Sequence, residues 1–157
     1  MKILQPAHNK PATQVENWKQ IKKEAQELRQ FIKAGPFEGD YQSAYAISHA
    51  QVSEAPLHFF VINEELEKGQ LKKWFGSWCV FNFKILETDD PVSWLEACMS
   101  FPHRKPKNTD RFYKIKAEYR IPFLWWSRKV TRRLKELPAF ICAHEDDHAH
   151  GRNIYNK

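Results

Sequence analysis

Cysteine is scarce: three residues in 157, an odd number with no framework spacing. That excludes a disulfide-built scaffold and fits free thiols in a reducing compartment. Long apolar runs are missing too, since no window approaches the roughly 18 consecutive apolar residues of a membrane-spanning helix. The first residues, Met1-Lys2-Ile3-Leu4-Gln5-Pro6, contain no apolar export segment. The expected location is the cytoplasm, with no membrane partner. Internal repeats, low-complexity tracts and composition breaks are absent, so residues 1–157 are expected to form a single domain with one core.

Apolar residues make up 42% of the chain and aromatic residues 14%, which a disordered chain would not carry. The formal net charge is +6. Much of the excess lies in Arg128-Lys129, Arg132-Arg133-Lys135 and Arg104-Lys105 with Lys107. A solvated basic face accounts for this, and so does attraction to RNA or to a ribosome surface.

The chemistry concentrates near the end, in Ala143-His144-Glu145-Asp146-Asp147-His148-Ala149-His150-Gly151. His-Glu-x-x-His on a helix stacks two imidazoles on one face, within reach of one divalent metal, with a glutamate beside it to take a proton from water. At about 100° per residue, Leu137, Phe140, Ile141, His144 and His148 share a side. The ligands therefore continue an apolar stripe suited to a hydrophobic side chain. Gly151 is the expected helix stop. After His148 only nine residues follow, none acidic and none cysteine. His150 points to another face, so a third ligand is sought upstream. Cys142 faces away from the metal. His49, His58 and His103 are lone histidines. Cys98 is the best candidate, because a thiolate with two imidazoles makes a good tetrahedral set with one open position.

Earlier in the chain, residues 1–13 carry Pro6 and Pro11 and look like a loose arm. Val15, Trp18, Ile21, Ala25, Leu28, Phe31 and Ile32 recur at helical steps over residues 15–33, and Ala34-Gly35-Pro36 ends that helix. Residues 37–43 are turn-rich. Residues 44–52 are mostly small and end near Gln51, where a backbone can pass close to a ligand or neighbour. Residues 57–62 suit a buried strand, and residues 69–73 a turn. Residues 74–86 suit one or two strands with Cys79 as a core thiol. Cys98 suits a loop or strand end. A basic loop over 102–110 precedes a period-two strand over 111–121, which Pro122 breaks. Residues 124–137 are open: Trp125 and Trp126 suggest strand, whereas Val130, Leu134, Leu137 and Ile141 suggest an early helix bent at Pro138. Alternatively Pro138 lies at the helix start.

Three segments in order resemble the peptide deformylases. Ala44-Tyr45-Ala46-Ile47-Ser48-His49-Ala50-Gln51 stands where that family has a glycine-rich motif ending in Ala-Ala-Pro-Gln. Glu96-Ala97-Cys98-Met99-Ser100 resembles Glu-Gly-Cys-Leu-Ser, and the 143–151 segment resembles Gln-His-Glu-x-Asp-His-Leu-x-Gly. The resemblance implies an α+β fold: an N-terminal helix, antiparallel β-sheets and a central C-terminal helix carrying the His-Glu-x-x-His motif. It implies one divalent metal on Cys98, His144 and His148, ferrous iron in the cell, with Zn2+, Ni2+ or Co2+ as other occupants. Glu145 would be the base and then the acid, with Gln51 and the Met99 N–H as oxyanion donors. Tyr45, Ala46, Ile47, Leu137, Phe140 and Ile141 would border the substrate pocket, with Glu96, Arg111 and Asp147 as support behind the ligands. The implied reaction is removal of the formyl group from formylmethionyl nascent peptides during protein biosynthesis. The enzyme would act as a monomer, with no specific nucleic acid but with the ribosome surface as a neighbour of its basic patches. The alternatives are a hydrolase of the same fold acting on another amide or ester, an inactive metal-binding relative, and a basic RNA-binding module. Alanines at 44, 46, 50, 97, 143 and 149 depart from the family pattern and bear on groove shape. The short C-terminus lacks a helical extension, as in a viral or other non-housekeeping copy.

Overall fold

The first helix forms because the apolar residues between 15 and 33 fall at steps of three and four. In the computed structural model, which describes residues 1–4, 10–35 and 43–156, helix α1 spans Trp18–Ala34. Asn17 caps it, its side-chain oxygen accepting from the Gln20 N–H at 3.1 Å. Trp18, Ile21, Ala25, Leu28 and Ile32 form its buried stripe. Pro36 and residues 37–42 of the expected turn-rich connection lie outside the described residues.

Next come β1 (Ala46–Ser48), β2 (Phe59–Ile62), α2 (Gln70–Phe75), β3 (Cys79–Glu96), β4 (Lys107–Phe123), β5 (Trp126–Lys135) and α3 (Leu137–Ala149). The strands form one antiparallel sheet in the order β1-β2-β3-β4-β5. The α+β expectation holds. The expectation of one core does not, because the sheet is covered on both faces. Phe59 and Val61 pack toward α1 with Ile47, Cys79 and Phe81. Phe60 and Ile62 face the opposite way, with Val80, Phe83, Tyr119, Ile141 and Cys142. A strand covered on both sides shows no polar alternation, which is why 57–62 is apolar throughout.

Several segments differ from the sequence reading. Residues 70–75 are helical rather than a plain turn: Leu71 and Phe75 are buried, and Gly76 (φ 85°) ends the helix close under the Arg132 guanidinium. Strand β3 does not stop near Leu86 but runs through Asp89-Asp90-Pro91 to Glu96. Backbone pairing with β4 carries it there, with Glu87 opposite Lys116 and Asp89 opposite Lys114. Proline is tolerated because this half of β3 is a sheet edge. Pro122 does not break β4 either; it pairs with Ser127, beyond the last β3 partner. Residues 126–135 are strand, and Pro138 sits in the first turn of α3, so the open assignment resolves to a hairpin followed by a helix. The N-terminal arm is tied down where it is described: Leu4 N–H donates to the Gln51 carbonyl at 2.7 Å, and Ala12 N–H to the Ala149 carbonyl at 2.7 Å.

His58 is 5% exposed. Its Nδ1 lies 2.6 Å from Gln14 Nε2, and its ring meets the Phe83 ring at 4.2 Å. Burial, then the nearby His150, pulls its pKa down to about 4. The unfolded chain therefore binds this proton more readily than the folded one, so stability falls as pH drops from about 6.5 toward 4. The whole effect is about 3 kcal/mol at most. Urea unfolding across that range should show a shallower pH slope for His58→Gln than for the unaltered protein. Equal slopes would contradict the assignment.

Candidate metal centre and groove

Helix α3 sets the site because its chain enters abruptly. Glu136 has φ 59°, and Pro138 then starts a helix whose next turns are buried. Leu137, Phe140, Ile141, His144 and Glu145 wall a cavity of about 410 Å³. The turn after β3 closes it from the other side with Glu96, Ala97 and Met99. In that turn Cys98 O accepts from Phe101 N at 2.9 Å, and the Cys98 side chain points inward, 1% exposed.

Two elements thus bring three ligand atoms together. One from each of Cys98, His144 and His148 lie within 4.8 Å of one another, and Cys98 Sγ is 3.3 Å from His148 Nε2. His144 turns its Nδ1 to Glu96 Oε1 at 3.3 Å. That contact favours a proton on Nδ1 and leaves Nε2 as the free donor atom. Burial pushes the Cys98 thiol up, but His148 and His144 outweigh it and bring its pKa to about 5. The group is a thiolate at neutral pH, the form a metal needs. One sulfur and two imidazoles suit a borderline divalent ion, and these residues fit such a group.

Glu145 lies beside the cluster, 3% exposed. Burial raises its pKa, against the pull of His144 and His148. Its Oε2 has no hydrogen-bond partner among the described residues. A buried carboxylate oxygen left unpartnered beside a groove is placed to meet a water or a substrate proton. Gln51 ends a 3₁₀ turn (His49–Gln51) whose capping box with Ser48 fixes its amide. Its Oε1 accepts from Ser48 N at 3.0 Å. Its Nε2 faces Ser100 Oγ at 3.3 Å and Cys98 Sγ at 3.7 Å.

Behind the ligands lies a buried ion network. Arg111 donates from Nε to both Glu96 oxygens at 3.1 and 3.0 Å and from Nη1 to Asp147 Oδ2 at 2.9 Å. Glu96 stays below the ordinary carboxylate range: burial raises it, while His144 and Arg111 lower it further.

Of the expected pocket residues, Tyr45, Ala46, Leu137, Phe140 and Ile141 line the groove. Ile47 does not. It is fully buried against α1, because strand side chains alternate and its neighbour Ala46 holds the groove side. The other described histidines are accounted for elsewhere. His49 accepts from Leu57 N at 2.9 Å and pairs with Glu24, His103 is exposed, and His150 binds Asp146. Cys142, expected to face away from the metal, is buried in the core. Trp94, Leu95, Leu66 and Glu67 also line the groove and were not anticipated. Trp94 stacks on Phe140 at 4.4 Å; its place two residues before Glu96 on a strand was the available signal.

A model of the polypeptide deformylase family matches residues 1–157. No curated protein matches the chain. Among solved structures, a PDF from the Vibrio parahaemolyticus bacteriophage VP16T in complex with actinonin is 25% identical with TM-score 0.74, covering 98% of this chain and 100% of that one. Peptide deformylase from Thermotoga maritima is 24% identical with TM-score 0.76, over 99% and 95% of the two chains. A probable peptide deformylase from Synechococcus phage S-SSM7 is 19% identical with TM-score 0.75, over 99% and 97%. The latter two share the fold.

The Arg111 guanidinium is 4% exposed and joins two buried carboxylates, so Arg111→Ala strips Glu96 of its guanidinium and leaves Asp147 with the more exposed Arg152, 3.4 Å away. Denaturant unfolding should show a loss of about 3–5 kcal/mol. A loss below about 1 kcal/mol would mean that the network does not hold the site together.

Proposed function

We propose that this chain, which belongs to the polypeptide deformylase family, is a cytoplasmic, metal-dependent hydrolase that removes the formyl group from the N-terminal formylmethionine of nascent peptides. One observation carries the reading: the Cys98, His144 and His148 cluster lies at the end of a partly apolar groove, beside the unpartnered oxygen of Glu145. The groove's Leu137, Phe140 and Ile141 suit an unbranched thioether side chain. The Trp94–Phe140 stack suits the apolar part of the following peptide.

A divalent ion held by Cys98, His144 and His148 would supply Lewis acidity, polarising the formyl carbonyl and acidifying a water. The remaining work falls to side chains of this protein. Glu145 Oε2 accepts the proton of the attacking water. Its raised pKa leaves it basic enough to take the proton and acidic enough to return it. As the oxygen attacks the formyl carbon, charge grows on the carbonyl oxygen. Gln51 Nε2 can donate to it, as can the Met99 N–H, which has no partner among the described residues. Glu145 then gives the proton to the departing amine as the C–N bond breaks. The products are formate and a peptide with a free amino terminus. The water supplies the oxygen, so no oxidant or reductant enters.

Formate release from a formyl-Met-Ala-Ser peptide by ferrous-loaded protein tests this directly, with an acetyl-Met peptide as comparison. Glu145→Ala should reduce turnover at least about 10³-fold. Gln51→Ala should cost about 10²–10³-fold, or about 3 kcal/mol of barrier. A chelator should abolish release, and added metal should restore it. Folded, metal-loaded protein that releases no formate, or that prefers the acetyl peptide, would overturn the assignment.

A further inference from the structure

The β4–β5 hairpin ends in an apolar tip for which neither the groove nor the core has a use. Phe123, Leu124, Trp125 and Trp126 are 42%, 69%, 80% and 57% exposed, and none lines the groove. Phe123 and Trp126 pair across the strands, their rings 5.9 Å apart. Leu124 and Trp125 form the two-residue turn. Leu124 has φ 55°, a conformation that glycine or asparagine would adopt with little cost and a bulky side chain does not. The chain therefore places apolar bulk at the apex against both solubility and turn preference.

A cationic collar lies just behind the tip. The Arg128 guanidinium sits 5.6 Å over the Phe123 ring. Arg120 donates to Ser127 Oγ at 3.4 Å, and Lys129 pairs with Glu118 at 3.2 Å. Arg120, Arg128 and Lys129 are all exposed. The Ile121–Arg128 pair is the third rung from the turn, about 10 Å from the apex at roughly 3.4 Å per residue. That distance matches the 5–10 Å to which interfacial apolar groups sink below lipid headgroups.

We propose that the Phe123–Trp126 tip is a docking element for the surface of an anionic lipid bilayer. Leu124 and Trp125 enter the acyl boundary, Phe123 and Trp126 lie at headgroup depth, and Arg120, Arg128 and Lys129 meet lipid phosphates. This revises the sequence-based expectation of no membrane partner. It requires no spanning segment; among the described residues no helix is long and apolar enough to cross a membrane. Two other occupants fit less well. Single-stranded RNA would use the tryptophans and the collar, but Leu124 at the apex offers no stacking face. Tip-to-tip pairing with a second copy would press like-charged collars together.

The test uses the full-length, metal-loaded protein and vesicles of phosphatidylcholine, either alone or mixed two to one with phosphatidylglycerol. Co-sedimentation with the anionic vesicles should be at least about ten-fold stronger than with the neutral ones, with tryptophan emission quenched by brominated lipid. Trp125→Ser should lower that binding about ten-fold. Leu124→Gly should weaken it too, and because it relieves the positive φ it should fold at least as well. Neither change should alter catalytic turnover. The proposal is overturned by no partitioning, by equal binding to both vesicle types, or by binding that Trp125→Ser leaves intact. It is also overturned if tip-dependent binding to an RNA oligomer or tip-dependent dimerisation occurs in place of vesicle binding.

Discussion

The site depends on one buried cation. Arg111 projects from β4, opposite Val92 of β3, and grips Glu96 at the end of β3 and Asp147 on α3. Glu96 in turn holds His144 by its Nδ1, and Asp147 precedes His148. The turn bearing Cys98 and the helix bearing the two histidines are thus fixed to the same guanidinium. Three charges at this depth would be costly singly. Joined, they set the spacing of two elements whose Cys98 and His148 are 50 residues apart along the chain.

The same arrangement sets the electrostatics. Burial raises the Cys98 thiol, and the His148 and His144 imidazoles together outweigh it and lower its pKa. Glu145 makes no ion pair among the described residues, and burial raises its pKa against the pull of His144 and His148. Two acids on neighbouring elements, Glu96 and Glu145, therefore differ in role because one touches Arg111 and the other faces the groove.

Much of this was legible in the residues because it rests on local periodicity. The four-residue step from His144 to His148 places both imidazoles without knowledge of the fold. Cys98 follows from ligand chemistry, as no acid or thiol comes after His148. The α1 stripe and the buried strand over 57–62 were readable for the same reason. Other features had no local signal. Ile47 could not be told from Ala46, because both faces of that strand are buried, its one polar residue, Ser48, included. The far half of β3 is polar and contains Asp89-Asp90-Pro91, so only its ladder with β4 reveals a strand. Leu124-Trp125 is no turn dipeptide by composition, and the hairpin forms because the flanking rungs pair. The second buried face was hidden for a related reason: it arises from which helices cover the sheet, a tertiary fact.

The proposed chemistry requires Cys98, His144 and His148 to form a single site. Anaerobic titration of the metal-free protein with cobalt(II) reads this directly in the absorption spectrum. One equivalent should bind with the visible bands of a tetrahedral ion and a near-ultraviolet thiolate-to-cobalt band. Cys98→Ala should remove the thiolate band in a protein that remains folded. Binding without a thiolate band, or a band that survives Cys98→Ala, would show that the three side chains do not share one metal.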